Sequence, residues 1–101
     1  MTAERWVLNP QVLLHWRQID GEWLLYDDLS GATHMIDYLS AVVLTCFESR
    51  VPQDMNDLIA QLATDLALDV TAALAAAVVQ QFLALDMLLP EIRAASVHAA
   101  A

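Results

Sequence analysis

Three histidines, one cysteine and an adjacent aspartate pair are the side chains from which this 101-residue chain would have to build a reactive centre. His15, His34, His98 and Cys46 are its imidazole and thiol donors, and no two stand at the separation of about two to five residues that zinc sites use. Asp27-Asp28 offers two carboxylates, but neighbours in a strand point to opposite sides and this pair falls in a turn, where solvated charge is expected. Ser30, Ser40 and Ser49 lack a flanking nucleophile elbow, and two glycines cannot build a loop that cradles phosphate. The expectation is a chain that is not an enzyme and carries no catalytic residue, metal or cofactor. His34 can donate to a bound peptide, although a half-buried strand histidine is more often structural.

What remains is backbone and apolar surface, so the elements matter most. Val12, Leu14 and Trp16 alternate with Leu13, His15 and Arg17, which predicts a strand over Val12–Ile19 with one face on a core. Asp20-Gly21 then supplies the two residues of a type I′ hairpin, both of which need positive φ. A second strand over Glu22–Asp27 sets Trp23 and Leu25 on one face and Leu24 and Tyr26 on the other. Asp27-Asp28-Leu29-Ser30-Gly31 turns the chain again, into a third strand over Ala32–Ile36. Only helical patterns follow, so the third strand is predicted to lie at a sheet edge with unpaired N–H and C=O groups.

Asp37 or Ser40 caps the first helix, whose apolar positions are Leu39, Val43, Cys46 and Phe47, and Arg50-Val51-Pro52 ends it. Asp54 and Asp57 open a second helix with the stripe Leu58, Ile59, Leu62 and Leu66. Asp69 or Thr71 caps a third, predicted to run to just before Pro90 along Leu74, Val78, Phe82, Leu85 and Leu89. The predicted organisation is a lead-in over 1–11, a domain over 12–89 and an alanine-rich tail over 90–101 that should fray.

The length fits one domain with its own core. Apolar content of 58% and a mean hydropathy of +0.48 are high, but Gln80, Gln81 and Asp86 interrupt the richest stretch, and no window reaches the ~18 apolar residues of a membrane span. Met1–Leu8 has no apolar signal region, so the expected compartment is the cytoplasm, and Cys46 has no internal disulfide partner. Thirteen Asp and Glu stand against four Arg and no Lys, a formal charge of -9. That balance argues against nucleic acid and against anionic membrane surfaces, and favours encounter with cationic or neutral protein segments.

Trp6 in the lead-in, Ser30-Gly31-Ala32-Thr33-His34-Met35-Ile36 at the third strand, and Phe82-Leu83-Ala84-Leu85-Asp86-Met87-Leu88-Leu89 at the end of the third helix together resemble the PqqD-like peptide chaperones, also called RiPP recognition elements. The Gly-x-Thr-His run followed by two apolar residues is similar to the subgroup named for the HPr-kinase-related A system; Asp86 stands where a glycine is usual. The resemblance spans roughly residues 6–89. It implies an α+β, winged-helix-like fold, a three-stranded antiparallel sheet followed by three helices, in which a leader-like peptide adds to the third strand. By position, Thr33, His34, Met35 and Ile36 would supply main-chain hydrogen bonds, and Val79, Phe82, Leu83 and Asp86 would line the helical wall. The implied partners are that peptide and a partner enzyme, an HPr-kinase-related protein in this subgroup. Two alternatives stand beside it: a winged-helix DNA-binding regulator, disfavoured by a third helix without Lys or Arg, and a structural homodimer seamed by surplus apolar width on that helix.

Overall fold

The computed structural model describes residues 4–28 and 30–92. Its order is β1 (Trp6–Leu8), β2 (Leu14–Ile19), β3 (Glu22–Asp27), β4 (Ala32–Ile36), α1 (Tyr38–Thr45), α2 (Met55–Leu66), α3 (Ala72–Ala84) and β5 (Leu88–Pro90). The predicted α+β arrangement of a three-stranded antiparallel sheet followed by three helices is present, with strand order β2-β3-β4. Asp20 (φ 52) and Gly21 (φ 80) take the two left-handed positions of the first hairpin. Ile19↔Glu22 closes that hairpin, and Trp16↔Leu25 and Leu25↔His34 set one row across all three strands.

Several elements differ from expectation, and α1 already ends at Thr45, ahead of Arg50. The lead-in holds β1, which pairs antiparallel with β5 as Trp6↔Pro90, Val7↔Leu89 and Leu8↔Leu88. Its other side meets Gln53, through Trp6 N–H to the Gln53 carbonyl at 2.8 Å and Gln53 N–H to the Trp6 carbonyl at 2.9 Å. Accordingly α3 stops at Ala84, five residues before the last one predicted for it, Leu89. Asp86 turns left-handed (φ 58), and Met87 N–H reaches back to the Phe82 carbonyl at 3.0 Å, a Schellman-type reversal. Asn9 clamps the corner: its Nδ2 donates to the Asp86 carbonyl at 2.8 Å and its N–H to the Met87 carbonyl at 2.9 Å.

The first strand of the meander begins at Leu14, two residues after the predicted start, because the preceding backbone is engaged elsewhere. The Val12 carbonyl accepts from Arg50 Nη2 at 2.7 Å, and Leu13 N–H donates to Asp28 Oδ1 at 2.9 Å. All three helices have side-chain caps: Asp37 accepts from Ser40 N–H, Asp54 and Asp57 form a reciprocal capping box, and Thr71 accepts from Leu74 N–H. The core gathers Leu25, Phe47, Leu58, Leu62, Phe82 and Met87, each fully enclosed. Leu66, expected in the buried stripe of α2, is exposed in the last turn, past the core. Of the tail, Pro90 belongs to β5, Glu91 is tied to Arg5 by an ion pair of 2.8 Å, and 93–101 lie outside the described residues.

Candidate functional site

The turn into β4 is built by a buried carboxylate. Asp27, expected to be solvated, is only 1% exposed, and its Oδ2 accepts from Ser30 Oγ at 2.9 Å while its carbonyl accepts from Gly31 N–H at 2.8 Å. Ser30 Oγ in turn accepts from Ala32 N–H at 3.2 Å. A buried carboxylate persists where it is hydrogen-bonded, and here the turn supplies such a bond through Ser30. Asp28 is the solvated member of the pair and pins the entry to β2.

Register decides which groups of β4 face outward. A two-residue type I′ hairpin closes on a hydrogen-bonded pair, so Ile19↔Glu22, Arg17↔Leu24 and His15↔Tyr26 are the bonded pairs of β2 and β3. The main-chain groups of the alternate β3 residues then point to β4, which makes Trp23↔Ile36 and Leu25↔His34 the bonded pairs there. Thr33 and Met35 direct N–H and C=O away from β3, and no other described strand pairs with β4. Of the four strand residues expected to supply main-chain hydrogen bonds, Thr33 and Met35 therefore leave theirs unpaired by β3, whereas those of His34 and Ile36 are turned to β3. Side chains alternate in step: Ala32, His34 and Ile36 face inward, and Thr33 and Met35 outward, the latter 70% exposed. His34 Nε2 is buried without a hydrogen-bond partner among the described residues.

The helical wall is placed differently from the strand. Val79 and Phe82 are 0% exposed and belong to the core, where α3 packs on α1, α2 and β5. Part of the apolar width of α3 is used there, while Leu74 stays 48% exposed. Leu83 is half-buried and Asp86 exposed, so of the four wall residues these two reach the surface.

Surface features beside β4 were not singled out from the sequence. On the outer face of the sheet, Leu24, Tyr26 and Thr33 join His15 and Arg17 around a depression of ≈ 360 Å³. Where β4 runs into α1, Glu22, Trp23, Met35, Asp37 and Tyr38 border a larger one of ≈ 610 Å³. Between the inner face and α1, Trp16 and Trp23 meet edge to face at 6.0 Å beside an apolar crevice of ≈ 230 Å³, and Trp16 Nε1 donates to Glu48 Oε1. The period-two pattern already held the outer-face signal, since Ile19, Leu24, Tyr26 and Met35 are apolar on the side opposite the core positions.

Among the described residues no three His, Cys, Asp or Glu side chains gather to hold a metal ion, and no helix is long and apolar enough to cross a membrane. Cys46 is buried; desolvation, with the Asp65 charge second, pushes its thiol above the ordinary value of 9.0. Its side chain belongs to the core cluster. Comparison of the chain with protein-family models, curated proteins and solved structures found no match.

Proposed function

We propose that this chain is a non-enzymatic adaptor that takes up an extended, leader-like peptide as an added strand on β4 and presents it to a partner enzyme in the cytoplasm. In this reading it is a PqqD-like peptide chaperone of the HPr-kinase-related A subgroup, and its partner an HPr-kinase-related protein. The observation that carries the proposal is the outward main chain of Thr33 and Met35, on a strand with no charged residue or proline to guard it.

The magnitudes suit a carrier. Two outward residues offer four main-chain hydrogen bonds, about 4 kcal/mol at about 1 each. Two apolar guest side chains add about 4. Ordering the peptide removes about 2 to 5. A net of roughly 3 to 6 kcal/mol corresponds to dissociation constants from millimolar to tens of micromolar, weak enough for release.

Amide hydrogen exchange with synthetic peptides tiled across the products of neighbouring genes tests the proposal. Without peptide, the amides of Thr33 and Met35 should exchange fast and those of His34 and Ile36 slowly; a bound peptide should slow the first pair. Failure of every peptide to protect Thr33 and Met35 would overturn it. Protection that grows with protein concentration alone would indicate the homodimer instead, and a salt-dependent shift of duplex DNA would indicate the DNA-binding regulator.

A further inference from the structure

We infer that the segment taken up on β4 carries a lysine or arginine whose cationic end is held by Glu22 and Asp37 at the end of the sheet. The inference rests on the strand-addition reading and adds the chemistry of the guest. Carrying the β3–β4 register one step past Trp23↔Ile36 sets Asp37 opposite Glu22, and Asp37 keeps extended backbone (φ -70, ψ 166). Ile19, Glu22 and Asp37 thus form one row on the outer face, and a guest residue beside Asp37 would continue it.

Two carboxylates opposite each other on one face repel. Among the described residues neither takes part in an ion pair. Asp37 Oδ1 accepts from Ser40 N–H at 2.7 Å, which answers the positive end of α1, and Glu22 is negative charge beyond that need. Arg17 lies one row away, in line with Leu24 and Met35, and pairs with neither carboxylate. Both residues border the ≈ 610 Å³ depression together with Trp23, Met35 and Tyr38. Met35 and Tyr38 are 70% and 60% exposed, surface of the kind that covers the methylene stem of a basic side chain, while the Tyr38 ring favours its charge. The formal charge of -9 draws a cation to the same place.

The test is selection of random octapeptides displayed on phage against the whole protein, in parallel with Glu22→Gln/Asp37→Asn, in which Asn still caps α1. The wild type should enrich peptides with one recurring Lys or Arg among alternating apolar residues. A selected Lys peptide should bind the double variant about three- to tenfold more weakly, and its Lys→Gln version should bind both proteins alike. Glu22→Lys, on an exposed side chain, should abolish the basic preference if the double variant folds poorly. Enriched peptides that protect Thr33 and Met35 but show no basic position would overturn this inference and leave strand addition standing. Selection of no peptide that protects those amides would overturn both.

Discussion

At the scale of single residues, His34 Nε2 and Cys46 are the buried groups whose environment can be tested most directly. His34 Nε2 lies buried without a partner among the described residues, a condition that costs about 1 to 3 kcal/mol. His34→Phe should therefore raise stability in urea denaturation by about 1 kcal/mol and leave peptide binding intact; a marked loss of binding would assign the imidazole to the guest. Cys46 is 4% exposed with a raised thiol pKa, so native protein should react with iodoacetamide at pH 8 only as fast as it opens. The folded thiol holds its proton more tightly than the unfolded one. Its contribution to stability is thus complete below the ordinary value of 9.0 and is lost as pH rises through the higher folded value. Cys46→Ala should flatten that alkaline decline in Tm.

Among the elements, β4 permits a sharp separation of folding from binding. Proline is tolerated on an edge strand where the lost N–H faces solvent and is damaging where it faces a neighbour. Thr33→Pro should keep Tm near that of the wild type and abolish peptide binding. His34→Pro should cost about 2 kcal/mol or more by breaking the ladder with Leu25. Circular dichroism melts and the exchange experiment read both outcomes. The three-stranded meander was legible because its signals are local: period-two alternation, Asp20-Gly21, and polar turn residues. The helix starts were legible to within a few residues for the same reason, and the structure selects Asp37 over Ser40 and Thr71 over Asp69 beside the expected Asp54. The end of α3 was not, since Leu85–Leu89 suits helix or strand equally and the choice is made by Asn9 and β1, far away in sequence. Nor could periodicity alone tell that Val79 and Phe82 would be enclosed, because a wide apolar stripe looks the same whether neighbouring elements or a guest cover it.

For the molecule as a whole, the outcome of that long-range pairing is a domain whose sequence-distant ends are part of its core. Trp6 is 8% exposed, and its Nε1 has no partner among the described residues. Trp6→Ala should cost about 3 to 5 kcal/mol, a large share of a small domain's stability, whereas Trp6→Phe should cost much less because no indole hydrogen bond is forfeited. Calorimetric melts of the two variants make the comparison.

The β1–β5 pair also sets the order in which the chain can be completed on the ribosome. The meander and the helices join neighbours in sequence and can assemble as they emerge, but Trp6, Val7 and Leu8 find Pro90, Leu89 and Leu88 only after almost the entire domain has been synthesised. During that interval an oily N-terminal ribbon is exposed beside a nascent chain that already displays an open strand edge. Until this last ribbon closes, the nascent protein exposes two unpaired strand edges at once, the feature through which incompletely folded chains pair with their neighbours.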